Sequence, residues 1–209
     1  IHTERTRQFK DYDGWVGYGL ANDGFDGINI KKGEKYDFSI FARAVDAGAK
    51  HLRVALVNIA DRRNPVILAE DTVTVDNKDW TKYNCTLTAD AACPNAQLHL
   101  LTLDNGTIDV DMISLLPQDT YHGHGLRRDL AESLEALNPK FMRFPGGCVV
   151  HGGGDGFWNT YRWKETIGPK ETRRQQKNTW GYHQSMDLGY QEYFLSLIHI
   201  SEPTRHAQI

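Results

Sequence analysis

Apolar and polar residues alternate with a period of two between Tyr36 and Leu115. Tyr36, Phe38, Ile40 and Ala42 share one face, and Leu52, Val54 and Leu56 repeat the pattern. So do Thr81, Tyr83, Cys85 and Leu87, and then Ile108, Val110 and Met112. Alternation of this kind predicts strands with one face on a core and the other in water, which puts Asp109 and Asp111 on a wet face. Turn-forming residues interrupt it at Ala47-Gly48, Arg63-Asn64-Pro65, Asp76-Asn77-Lys78 and Asp104-Asn105-Gly106, with Asn105-Gly106 the strongest hairpin signal. No helical pattern intervenes, so the span predicts a jelly-roll-like antiparallel β-sandwich.

At Pro117 the period changes. Leu126, Leu130, Leu134 and Leu137 recur at helical spacing among Arg127, Arg128, Asp129, Glu132 and Glu135, and Asn138-Pro139 stops the run. This predicts an amphipathic helix over about 124–137. Phe141-Met142-Arg143-Phe144 then reads as a strand near 140–144, ending in the Pro145-Gly146-Gly147 turn, which makes helix and strand part of an α/β unit. Six glycines fall within 146–156, and Trp158, Trp163 and Trp180 follow. Glycine- and tryptophan-rich loops at a strand's C-terminal end suit a ligand-facing surface.

Composition narrows the function classes. The chain has 209 residues, 24 Lys+Arg against 27 Asp+Glu and a formal charge of -3. Mean hydropathy is -0.55. Without a basic block, nucleic-acid and anionic-membrane partners are not expected. No apolar run approaches the ~20 residues needed to span a bilayer, and the start at Ile1-His2-Thr3 is neither a Met nor a signal peptide, which reads as a chain cut at its front. Cys85, Cys93 and Cys148 are too scattered for zinc, although Cys85 and Cys93 could bridge in an oxidising compartment. His122-Gly123-His124 lacks a third ligand at metal spacing, and glycines 152 to 154 lack the strand-to-helix context of a phosphate loop. Neither a metal nor a cofactor is expected.

Three segments carry a family resemblance. Phe141-Met142-Arg143-Phe144-Pro145-Gly146-Gly147-Cys148, Tyr161-Arg162-Trp163-Lys164-Glu165-Thr166-Ile167-Gly168-Pro169 and Leu188-Gly189-Tyr190-Gln191-Glu192-Tyr193-Phe194 resemble, in order and spacing, the α-L-arabinofuranosidases of glycoside hydrolase family fifty-one. Upstream, the stretches 22–28 and 107–115 look like the carbohydrate-binding-like sandwich of bacterial members. The resemblance spans about residues 14–194. It implies a sandwich over 1–116, followed over 117–194 by the first part of a truncated (β/α)8 TIM barrel. It also implies a retaining enzyme that releases terminal α-L-arabinofuranosyl residues from arabinose-containing oligo- or polysaccharides. Homo-oligomerisation of the parent stays open, and a periplasmic or extracellular location is what bacterial membership implies.

The same resemblance points to Arg143, Gly146, Gly147, Cys148 and Trp180 as substrate-binding residues. At the mouth of a barrel a fixed guanidinium orders sugar hydroxyls or carboxylates, and glycines let backbone approach a ring. Arg143 has a plainer role open to it, pairing with a structural carboxylate. Cys148, where other members carry Asn, could equally be a small buried apolar residue. Trp180 either stacks on sugar CH groups or packs in a core. His151 departs from an acidic residue common in members. The family's two catalytic glutamates lie at the ends of the fourth and seventh barrel strands. A whole barrel takes ~250 residues, so neither is expected here, and Glu165, Glu171 and Glu192 are assigned surface or supporting roles.

A non-catalytic carbohydrate-binding module is the competing interpretation, with Trp15, Tyr18, Phe25 and Trp80 as its scattered aromatics, and a purely structural sandwich is a third. After Phe194 the sequence Leu195-Ser196-Leu197-Ile198-His199-Ile200-Ser201-Glu202-Pro203-Thr204-Arg205 reads as translated sequencing adapter. Residues 195–209 are therefore expected not to dock on the fold.

Overall fold

The computed structural model describes residues 1–3, 18–152 and 160–200, without the side chains of 151 and 197–199. Trp15, Trp158, the glycines at 153, 154 and 156, and the tail from 201 onward lie outside the described residues. The chain divides into two compact units, Ile1–Asp119 and Thr120–Ile209.

In the first unit the alternation becomes strands. These are β1 (His2–Thr3), β2 (Tyr18–Asn22), β3 (Ile28–Ile30), β4 (Lys35–Ala44), β5 (Lys50–Asn58), β6 (Val66–Val75), β7 (Thr81–Thr88), β8 (Cys93–Thr102) and β9 (Gly106–Pro117). One sheet runs β1-β9-β4-β7 and the other β2-β8-β5-β6, with β3 also on β8. Their pairings are antiparallel. Tyr36, Phe38, Ile40 and Ala42 of β4 face Leu52, Val54 and Leu56 of β5, together with Leu87, Leu100 and Ile108, in one buried cluster. Each fully buried aliphatic or aromatic side chain there contributes roughly 1.5–3 kcal/mol, so the sandwich-like packing follows directly from the period-two pattern. Ile40 is completely buried. Ile40→Val is expected to lower unfolding free energy by about 0.5–1.5 kcal/mol in a urea titration; an unchanged midpoint would place Ile40 outside the core.

Two local expectations change. Asn105-Gly106 does not close a hairpin, because β8 and β9 lie in different sheets. The turn instead carries the chain from one layer to the other. Gly106 adopts φ +122°, and a Cβ there would sit 2.6 Å from Asp46 Oδ2, which accepts from Thr107 N–H. The β9 alternation also slips. Ser39 pairs Ser114 while Phe41 pairs Asp111, so one extra residue bulges out, with Met112 at φ +48°. Asp109 is half-buried and paired with Arg43 at 2.8 Å, whereas Asp111 is exposed. Cys85 in β7 and Cys93 in β8 are free thiols, so the disulfide considered above is not formed. Burial, then the Asp71 carboxylate, pushes the Cys85 thiol up to about 12.

The second unit starts with a small ladder, β10 (Thr120–Tyr121) on β11 (Leu126–Arg127), and continues into α1 (Arg128–Ala136). The helix begins later than 124 because Gly123 and Gly125 have φ of +73° and +75°, outside helical space, and 126–127 are held in the ladder. Within α1 only Ala131 is buried, while Leu130, Leu134 and Leu137 are 56%, 50% and 75% exposed. The predicted strand at 140–144 is absent, and the segment is irregular up to the cis Phe144-Pro145 bond. A strand is defined by its ladder, and no described segment pairs with this one.

Beyond it come α2 (Cys148–His151), 3-10 turns at Trp163–Thr166 and Lys170–Thr172, the hairpin of β12 (Gln176–Lys177) and β13 (His183–Gln184), and α3 (Tyr190–Ile200). The expectation of an undocked tail is corrected as far as Ile200. Helix α3 runs through Leu195–Ile200, and Ile200 is buried against Tyr121 and Ala131. Extending an existing helix costs little per residue, and an apolar side chain in register packs whatever its origin.

Candidate functional site

The second and third resemblance segments are fastened together by hydrogen bonds. Thr166 Oγ1 donates to Trp163 O at 2.8 Å and accepts from Tyr190 N–H at 2.9 Å. Gly189 lies so close that a Cβ would come within 1.9 Å of Thr166 O, so only glycine fits. Between them sits Arg173, whose side chain is 3% exposed. It donates to Gly168 O, Met186 O and Asp187 O, and makes a two-pronged bond to Glu192 at 2.8 and 2.9 Å. Glu192 also accepts from Gly189 N–H at 2.8 Å. Burial pushes the Glu192 carboxyl up, yet the Arg173 and Gly189 donors outweigh it and hold the group below its ordinary range. Sequence patterning did not find Arg173, because nothing local distinguishes it from an exposed arginine.

Tyr161 ties this framework to the short helix: its N–H donates to Val149 O at 2.9 Å, and its hydroxyl shares a hydrogen bond with Thr166 Oγ1 at 3.1 Å. Cys148 is exposed at the start of α2, and Trp180 is 57% exposed in the 178–182 loop between β12 and β13. The two border one shallow surface dimple, too small to admit a water molecule, which Gln176, Asn178 and Gln184 also line. The buried-apolar alternative for Cys148 and the core alternative for Trp180 are therefore both set aside. Trp180 lies nearly parallel to Tyr182, with ring centroids 6.4 Å apart and planes 19° from parallel. Tyr182, itself exposed, was not singled out from sequence.

Arg143, Gly146 and Gly147 do not line this depression. Arg143 is exposed. Gly146 needs its missing side chain, since its φ is +105°, whereas Gly147 has an ordinary φ of -84°. A Cβ at either would meet no described atom within 4 Å, so the space beside both backbones is open. Among the described residues, no three His, Cys, Asp or Glu side chains gather as metal ligands, and no helix is long and apolar enough to cross a membrane.

Comparison with known proteins bears on this arrangement. The family description "Alpha-L-arabinofuranosidase 1 domain" matches residues 133–202. An extracellular exo-α-L-arabinofuranosidase of Streptomyces chartreusis is 39% identical over 203 residues, covering 91% of this chain and 23% of that protein. α-L-Arabinofuranosidase 1 of Arabidopsis thaliana is 37% identical over 182 residues, covering 85% and 26%. An arabinose-bound GH51 α-L-arabinofuranosidase structure superposes with a TM-score of 0.76 at 30% identity, covering 87% of this chain and 30% of that one. Over most of its length the chain is similar to one segment of these α-L-arabinofuranosidases. It spans about a quarter of the length of these curated relatives. The family match takes in the Arg173–Glu192 framework, Cys148 and Trp180, and α3 to its end.

Proposed function

We propose that the chain belongs to a retaining α-L-arabinofuranosidase that removes terminal arabinofuranosyl groups from arabinose-containing oligo- or polysaccharides. Residues 1–116 are its carbohydrate-binding-like sandwich, 117–194 open its (β/α)8 barrel, and 195–209 are adapter-derived. Arg143, Gly146, Gly147, Cys148 and Trp180 form the substrate side. The observation that carries this proposal is the exposed Trp180 indole beside Cys148, inside the stretch that matches the family description. An exposed indole face offers an apolar platform to the CH groups of a sugar. The open backbone at Gly146 and Gly147 adds a surface that a hydroxyl can approach. Arg143, exposed just before the glycine turn, supplies a charge-assisted donor.

In the complete enzyme, Arg143→Ala and Trp180→Ala are each expected to lower kcat/KM for an aryl α-L-arabinofuranoside roughly tenfold or more, the scale of one lost charge-assisted contact or sugar platform. Wild-type values for both would remove these residues from the site.

Glycan binding by the sandwich is a second reading, favoured by one feature. Asp37, Ser39, Asn84, Thr86 and Ser114, with Lys82 and Leu116, line a surface trough across β4, β7 and β9. Retardation of the chain in an arabinan-containing gel, lost on Ser39→Trp, would support it.

A further inference from the structure

Asn178 starts the loop that presents Trp180, and it is only 5% exposed. Its backbone N–H donates to Tyr182 O at 2.9 Å, and its carbonyl accepts from Gly181 N–H at 3.2 Å. Its side chain closes the loop a second time. Oδ1 accepts from Trp180 N–H at 3.0 Å and from Tyr182 N–H at 3.3 Å. These two donors settle which end of the amide is oxygen, because the flipped amide would set N–H against N–H. Nδ2 is left buried and, among the described residues, without a hydrogen-bond partner. A buried donor without an acceptor is destabilising, so the packing of Nδ2 does not account for an asparagine here. What accounts for it is the oxygen, which an Asx-type turn requires.

The loop has no other side-chain fastening of this kind among the described residues. Trp180 and Tyr182 are exposed rings, 57% and 59%, with no core to fix their backbone. Gly181, at φ +89°, lets the chain reverse between them. The orientation of the indole over the depression therefore depends on how the Trp180 and Tyr182 amides are held.

We infer that Asn178 is a positioning residue for Trp180, its Oδ1 clamping the hairpin loop so that the indole stands beside Cys148 as a preformed sugar platform. This rests on the furanoside-site reading above. Asn178 touches no reacting group; it acts through Trp180. A carboxylate supplies the same acceptor and removes the unpaired donor, so aspartate should serve in its place, while alanine should not.

The test uses the 209-residue chain, labelled with ¹⁵N, with the Trp180 indole resonance assigned from Trp180→Phe. Asn178→Ala is expected to speed amide exchange at Trp180 and Tyr182 about tenfold, and to weaken the shift of the Trp180 indole resonance by methyl α-L-arabinofuranoside several-fold. Asn178→Asp should restore both. Unchanged exchange in Asn178→Ala would show that Oδ1 holds nothing, and faster exchange with an unaltered glycoside titration would show that the clamp does not serve the site. Failure of Asn178→Asp to restore either, with the amides of α3 still protected, would also overturn the inference. A wild-type chain whose indole resonance ignores the glycoside would remove the furanoside-site reading itself, and any role of Asn178 in it.

Discussion

Arg173→Ala is expected to destabilise the second unit by about 3–5 kcal/mol, because it leaves the Glu192 carboxylate buried without its counter-ion. The loss goes beyond one ion pair. Gly168 O, Met186 O and Asp187 O lose their donors at the same time, and Gly168 ends the Trp-Lys-Glu-Thr-Ile-Gly segment that holds α3 through Thr166. Glu192→Gln should cost less, since the amide keeps an acceptor for Gly189 N–H and removes a charge, but it strands the guanidinium. The pH dependence has a definite sign. Glu192 is held below its ordinary range in the fold, so its contribution is full above the unfolded carboxyl pKa and is lost as pH falls through the folded value. The gap between wild type and Glu192→Gln should therefore close in acid. Amide exchange along α3, measured at neutral and acidic pH, reads both effects. Wild-type protection in Arg173→Ala at neutral pH would mean that this pair does not hold the unit together.

How far the sequence reveals this fold depends on the range of the forces involved. The alternation in β4, β5 and β7 was legible because a half-buried strand writes its burial at every second residue, and Tyr36, Phe38 and Ile40 went where the period put them. Asn105-Gly106 signalled a reversal correctly but not its destination, since turn chemistry fixes local curvature and the choice of sheet is made by distant packing. The helix start was misplaced because two left-handed glycines outrank a leucine period. The strand at 140–144 failed for a different reason. Its composition suits a buried strand, yet a strand exists only beside another. The family resemblance pointed to Cys148 and Trp180, but that the two lie side by side was not visible, and Arg173, Glu192 and Asn178 acquire their roles from partners that no periodicity marks. Gly189, three residues before Glu192, was the nearest available sign, because a glycine in the Leu188-Gly189 turn permits the close approach to Thr166 that Glu192 then locks.

Expressed alone, the chain is expected to release no arabinose from an aryl α-L-arabinofuranoside. Retaining hydrolysis needs a protonated acid at the leaving oxygen and a carboxylate about 5–5.5 Å away as nucleophile. The acid must hold its proton near neutral pH, which requires burial or a neighbouring negative charge to raise its pKa. The carboxyls of the second and third resemblance segments are tuned the other way. Glu192 is spent on Arg173 and Gly189, and it is held ionised. Burial is the largest single influence on Glu165 and pushes it up, but Arg174 and Arg162, each 3.3 Å away, together outweigh it and carry the carboxyl below its usual range. Neither can donate a proton at pH 7, and a nucleophile locked in a two-pronged bond to a buried arginine is not free to attack an anomeric carbon. The sugar contact proposed for Trp180 needs no such acid, so binding and turnover should separate. The measurement is release of aryl alcohol by the purified chain beside its Glu165→Gln and Glu192→Gln variants. Turnover above buffer that vanishes in either variant would make that glutamate catalytic and would overturn the assignment of the chemistry to residues outside this chain.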